Sequence, residues 1–295
     1  MNAPHPPADA TVDQALACWG LSLDDVRGFV PPAGPGETVL LVGSVAAGLA
    51  TGSSDIDLLV IGDRADLHEG LVVREADFDA SVLRHADGYR VNVELWGTPQ
   101  LEDLEGRVAS AMACLLEPDV IHDLHVLRPD EVVLMHRLRT GIVLSNPDVA
   151  EAWRLRLHLD GLATYVMIVA AWHCTAHVMD VAGALEADDP ASAAWVARSC
   201  IDQLAAALLA SVGETNPSQR WRVRLLRRHR AVLGPELVDT TLRYLFLTPD
   251  ATADGGVEAA VAFARRQLDR LLAGRPELAV LMSSLATGEV TEPVA

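Results

Sequence analysis

Residues 40–61, LLVGSVAAGLATGSSDIDLLVI, leave this chain few folds to choose from. An apolar run, Thr38–Val42, stops at Gly43-Ser44. Small residues follow as far as Ser54, and then Asp55-Ile56-Asp57 starts a second apolar run that ends at Ile61. Short apolar runs bounded by glycine and polar residues read as buried strands. Side chains alternate across a strand, so Asp55 and Asp57 point to one side of the second run. Two carboxylates so placed repel each other, and are tolerated at a strand's start where water or a cation lies between them. Their hard oxygens suit Mg²⁺, which takes one or two carboxylates together with waters and substrate phosphates. At the other end of the stretch, Gly43 lets the backbone approach a ligand closely. Residues 45–50 read as a short helix, whose start offers free N–H groups to an anion.

A second constraint comes from Tyr89–Trp96, YRVNVELW. Val91, Val93 and Leu95 alternate with Asn92, Glu94 and Trp96, so Glu94 lies on the polar face of a strand. An earlier apolar run at 80–83 pairs with it across a turn containing Asp87-Gly88, a strong hairpin signal.

Gly43-Ser44, about ten further residues, and Asp55-x-Asp57 inside an apolar run resemble the signature of the DNA polymerase beta-type nucleotidyltransferase superfamily. The resemblance implies a third carboxylate on a later strand, and Glu94 is the match. It further implies transfer of a nucleoside monophosphate from an NTP, with ATP as the expected donor and pyrophosphate released. Two Mg²⁺ ions would be held by Asp55, Asp57 and Glu94, with Glu94 either a ligand or the general base. Gly43, Ser44 and Ser54 would lie at the nucleotide. A catalytic domain followed by a long helical tail is similar to aminoglycoside adenylyltransferases and to small stand-alone nucleotidyltransferases. The acceptor implied is therefore a hydroxyl of a small molecule, aminoglycoside-like or a natural product. Two alternatives stay open: a protein acceptor, as in nucleotidyltransferase antitoxins, and a catalytically silent nucleotide-binding partner protein.

Charge narrows the partners. The net charge is −18 and the pI about 4.8, which argues against nucleic acid, because phosphate backbones need a basic surface. The chain has no lysine, so any phosphate clamp must use arginine, whose fork suits phosphate oxygens. Six arginines fall within 219–230, QRWRVRLLRRHR. On a helix over 218–232, Arg220, Arg224, Arg227 and Arg228 fall near one face, and Arg220 and Arg224 are the candidates for phosphate contact. The alternative is a salt-bridged helix surface. His173 and His177 also share a helical face, and read as structural histidines rather than zinc ligands.

Cys18, Cys114, Cys174 and Cys200 form no C-x-x-C pair and read as buried thiols of a reducing compartment. The N-terminus lacks the basic patch and apolar run of a secretory signal, so a cytoplasmic location is expected. Residues 161–179 carry no Asp, Glu, Lys or Arg. Their histidines, threonines and cysteine favour a buried bundle helix over a membrane span.

The fold expected is α+β: a mixed nucleotidyltransferase sheet with flanking helices, then an all-α bundle. Helices are read at 130–144, from 146 to about 185, and at 191–212, 218–232, 235–246, 256–273 and 276–285. The domains expected are 1–145, catalytic, and 146–295, acceptor-binding.

Overall fold

Thr38–Val42 and Ile56–Ile61 form strands β1 and β2, and Gly43–Ala46 the short helix α3 between them. These belong to a computed structural model that describes residues 11–62, 71–73, 80–86, 89–116, 127–246 and 256–275. Ahead of β1 come α1 (Val12–Cys18) and α2 (Leu23–Arg27). Each opens on a reciprocal cap, Thr11 with Gln14 and Ser22 with Asp25, which satisfies amides that a helix start leaves without partners. After β2 come β3 (Leu71–Val73), β4 (Ala80–Ala86), β5 (Tyr89–Trp96) and helix α4 (Thr98–Leu116). Ala86 pairs with Tyr89, so the hairpin forms where it was expected. Asp87 and Gly88 themselves lie outside the described residues.

Among the described residues the sheet has six strands in the order β3-β4-β5-β2-β1-β6. Of these, β2 and β5 run parallel and the other pairs are antiparallel. One face carries Val39, Leu41, Ile56, Leu58, Val60, Val91, Val93 and Leu95, packed with Leu16, Trp19 and Val26 of the first two helices. Each such aliphatic side chain contributes about 1.5–3 kcal/mol on burial. The same alternation puts Asp57, Asn92 and Glu94 on the opposite face.

The sixth strand corrects the expected helix over 130–144. The helix α5 covers Pro129–Thr140, and Ile142–Ser145 is strand β6, paired to β1. Gly141 makes the turn. A Cβ there would lie 2.9 Å from Val42 and 3.2 Å from Leu40, so only glycine lets the chain come this close to β1. Arg154 of the next helix, α6 (Pro147–Arg156), donates to the carbonyls of Leu138 and Gly141, closing the end of α5. The β-branched Ile142 and Val143 then suit an edge strand better than another helical turn.

The helix expected from 146 to 185 is also interrupted. It breaks after Arg156, where His158 adopts a positive φ of 49°, and resumes as α7 (Leu162–Glu186). Then follow α8 (Pro190–Ser211), α9 (Arg222–Arg228), α10 (Arg230–Leu233), α11 (Pro235–Leu245) and α12 (Gly256–Ala273). The helix expected over 218–232 is thus a 3₁₀ turn, Gln219–Trp221, and two short helices that part at His229. The helix expected at 276–285 lies outside the described residues.

Internal contacts divide the chain into two units. One runs up to Ala109 and includes Leu127–Leu159; the other takes α4 from Ser110 and the chain from Asp160 onward. Thus β6 and α6 belong with the sheet, whereas the boundary expected near Ser145 leaves α6 with the bundle. In the helical unit, Ala171, Cys174, Val178, Ile201, Leu204, Leu208, Phe263 and Leu268 share one apolar core. By length and composition alone, α7 with the turn before it and α8 could cross a membrane, yet 67% of the most apolar α8 window is buried within this fold. Cys174 and Cys200 are buried side by side, Sγ to Sγ 3.3 Å. The neighbouring thiol and burial push the Cys174 pKa far up. Cys18 is only half-buried, contrary to the expectation for all four.

Candidate active site

Three backbone choices place Asp57. It is the second residue of β2, it stands opposite Val42 on β1 and it stands opposite Asn92 on β5. The chain must leave β1 sharply for Asp57 to reach solvent, and Gly43 does this with a φ of 70°, in the left-handed region that glycine alone enters freely. A Cβ on Gly43 would lie 2.1 Å from Asp57 Oδ2. The carboxylate therefore rests directly against the bare backbone at the start of α3. Ser44, the next residue, is buried. The short helix begins at Gly43 and ends at Ala46, earlier than the expected 45–50, so Gly43 and Ser44 are its first turn rather than its approach.

Asp55 precedes β2 and has the same parity as Asp57. Arg90 Nε lies 3.1 Å from its Oδ1. That oxygen is buried and has no hydrogen-bond partner; the two facts are compatible because the contact meets the ion-pair distance without hydrogen-bond alignment. Ser54 supports the turn before the pair: its Oγ accepts from Thr51 N at 2.9 Å, and its own amide donates to Thr51 O at 3.0 Å.

The parallel register aligns β5 with β2 so that Asp57 faces Asn92 and Leu59 faces Glu94. Continued one step back, the same register sets Arg90 beside Asp55. Asn92 Nδ2 donates to Asp57 Oδ1 at 3.2 Å. Glu94 shares the face of Asp57 but lies further along the sheet and is nearly buried, at 6% exposure. Its Oε1 accepts from Trp96 Nε1 at 2.8 Å and its Oε2 from Arg137 Nη1 of α5. Trp96 is itself fully buried.

The structure thus brings Asp55, Asp57 and Gly43 together and does not gather Glu94 into a three-carboxylate cluster with them. No group of three His, Cys, Asp or Glu suited to a metal occurs among the described residues, which also applies to His173 and His177. Arg90, Asn92 and Arg137 are contacts that sequence reading missed. Arg90 and Asn92 were visible on the polar face with Glu94; only the strand register could have ranked the three. Arg220 and Arg224 belong to the helical unit, where their guanidinium carbons lie 5.0 and 5.5 Å from the ring centre of Trp221. Arg222, between them, is buried and paired with Asp202.

A divalent cation fits the sheet residues in one respect that the fold itself shows. Asp55 offers a buried carboxylate oxygen that faces the Arg90 guanidinium but accepts no aligned hydrogen bond, on the same side of β2 as Asp57, and both present hard oxygen ligands. Glu94, engaged by Arg137 and Trp96, offers no comparable oxygen.

Residues 23–130 match the family described as "Nucleotidyltransferase domain". Among solved structures, a nucleotidyltransferase-like protein from Exiguobacterium sibiricum is similar at 14% identity and a TM-score of 0.44, with 92% of this chain and 79% of that chain covered. No curated protein matches the chain. The family match spans β1 to β5, and with them Gly43, Asp55, Asp57 and Asn92. Residues 23–130 of this chain are a nucleotidyltransferase domain of the DNA polymerase beta-type superfamily.

Proposed function

We propose that the sheet unit transfers a nucleoside monophosphate from an NTP to a hydroxyl of a small-molecule acceptor, with ATP as the first donor to test. The observation that carries this reading is the Asp55–Asp57 pair set against the Gly43 turn, inside a domain of nucleotidyl-transfer type. The acceptor oxygen forms a bond to the α-phosphorus. The bond from that phosphorus to the bridging oxygen breaks, pyrophosphate leaves with the electron pair, and the acceptor proton goes to solvent.

Asp55 and Asp57 would hold a divalent cation. Such an ion neutralises triphosphate charge and acidifies an attacking hydroxyl. The remaining work falls to the chain itself. Gly43 keeps space for the Asp57 carboxylate, and Asn92 fixes its rotation by donating to Oδ1. Ser44, in the first turn of α3, offers a backbone amide with no intrahelical acceptor to a phosphate oxygen. Glu94 is a positioning residue in this reading: paired with Arg137, it ties β5 to α5 behind the aspartates. The acidic surface favours a neutral or cationic acceptor over nucleic acid.

The experiment is pyrophosphate release by the full chain with Mg²⁺, the four NTPs and a panel of aminoglycosides and other polyhydroxylated small molecules. Asp55→Asn and Asp57→Asn should each lower turnover at least a hundredfold while the far-ultraviolet spectrum is kept. Wild-type turnover in either variant overturns the assignment. Label from α-³²P-ATP appearing on protein bands of a lysate, and on no small molecule, replaces the acceptor class.

A further inference from the structure

Away from the aspartates, the helical unit contains a cavity of ≈ 290 Å³. Trp195, Arg198 and Asp202 line it from one face of α8, at the spacing that brings helical side chains into register. Arg222 of α9 and Phe246 at the end of α11 complete the part that matters.

The floor is an ion pair with one end open. Arg222 Nε donates to Asp202 Oδ1 at 3.2 Å, and Arg222 is 5% exposed. Asp202 is 9% exposed, and its second oxygen, Oδ2, is buried with no hydrogen-bond partner. A buried acceptor without a donor is costly, and Asp202 is one of the residues that line the cavity. The mouth shows the opposite anomaly: Trp195 is 69% and Phe246 58% exposed, two large aromatic side chains left in water. A flat ring that covers apolar surface of these side chains and carries a donor would relieve both anomalies at once.

Charge selects the donor. Arg222 already neutralises Asp202, and Arg198 adds a further positive charge at the exposed rim. An ammonium is therefore disfavoured relative to a neutral ring N–H or O–H, and an acidic substituent has Arg198 to meet. The volume lies at the small end of ligand sites, about 300–1,000 Å³, which suits one or two fused rings. We propose that this cavity binds a small planar aromatic acid whose ring N–H or O–H donates to Asp202 Oδ2.

Titration calorimetry on the full chain tests this with three probes: indole-3-acetate, its 1-methyl derivative, which lacks the N–H, and indole, which lacks the acid. Saturable binding of indole-3-acetate is expected, weakened about tenfold or more by loss of either group, since each hydrogen bond involves a charged partner. Trp195→Ala should weaken it by a similar factor with the unfolding midpoint unchanged, because the side chain is exposed. Arg198→Gln should erase the preference for the acid over indole. Three results overturn the proposal: no saturable heat with any probe at millimolar concentration, equal affinity for the methylated probe, or unchanged affinity in Trp195→Ala. None of these outcomes depends on nucleotidyl transfer by the sheet unit.

Discussion

Gly43→Ala tests the geometry of the site without presupposing its substrate. Two costs are expected, and the fold supplies a control that separates them. First, Gly43 has a φ of 70°, and an L-residue held there costs roughly 1–2 kcal/mol. Second, the added methyl would lie 2.1 Å from Asp57 Oδ2, 2.8 Å from its Cγ and 2.9 Å from its Cβ, so Asp57 must move; overpacking of this kind costs about 1–3 kcal/mol. Gly36 has a φ of 83°, and a Cβ added to it would meet nothing within 4 Å, so Gly36→Ala carries the backbone cost alone. In urea denaturation, Gly43→Ala should be destabilised by roughly 2–5 kcal/mol. Gly36→Ala should lose about 1–2 kcal/mol. Gly43→Ala/Asp57→Ala should recover part of the difference between them, since the contacts to Oδ2 and Cγ are removed and only the 2.9 Å approach to the Asp57 Cβ remains. Nucleotidyl transfer should fall about a hundredfold in Gly43→Ala, the scale on which a displacement near 1 Å acts, and persist in Gly36→Ala. Equal stability losses for the two single variants, with transfer intact, would show that Asp57 does not lie against the turn.

Arg90→Gln should tighten Mn²⁺ binding in the absence of nucleotide. Arg90 Nε is 3.1 Å from Asp55 Oδ1 and a cation–carboxylate bond adds about 2.1 Å. At roughly 5 Å in a water-like dielectric, a dication and a guanidinium repel by about 1.5 kcal/mol, near a tenfold change in affinity. Paramagnetic resonance of free Mn²⁺ reads this directly, and an unchanged or weaker affinity refutes it. Arg137→Met leaves the Glu94 carboxylate buried and without its cation, a loss of about 3–5 kcal/mol; Glu94→Gln/Arg137→Met should be more stable than Arg137→Met alone, and a strictly additive cycle in chemical denaturation would deny the pair. Iodoacetamide at pH 8 should alkylate Cys18 in the native protein and spare Cys174 until urea is added, because Cys200 and burial hold the Cys174 thiol protonated. Peptide mass spectrometry checks both sites, and early labelling of Cys174 contradicts the packing of α7 on α8.

Much of this was legible from local chemistry. The strands β1, β2 and β5, and α8, α11 and α12 follow from apolar period and proline or glycine breaks, all of which act within a few positions. The misses share a cause. Ile142–Ser145 is apolar enough for either a helix or a strand, and the decision came from β1, about a hundred residues earlier, through the bare backbone of Gly141. The run at 219–230 has helical spacing throughout, yet it folds in pieces with Arg222 turned inward to Asp202. No rule of spacing contains Asp202.

The third carboxylate shows the same limit at the site itself. Alternation puts Arg90, Asn92 and Glu94 on one face with equal standing, and a search for an acid selects Glu94. Pairing orders them along the strand: Ile56 takes Val91, so Asp57 takes Asn92 and Leu59 takes Glu94. The side chains nearest the aspartates are then a guanidinium and an amide, and the group Asp55, Asp57, Arg90 and Asn92 carries a net charge of about −1 where three acids would carry about −3. A cluster so nearly neutral is stable without an ion, which is why the fold can hold two carboxylates on one strand end. It also means that a divalent cation gains little from this site alone and must bring further negative ligands with it. A triphosphate supplies them, so in this chain the cation should bind weakly by itself and more tightly together with nucleotide.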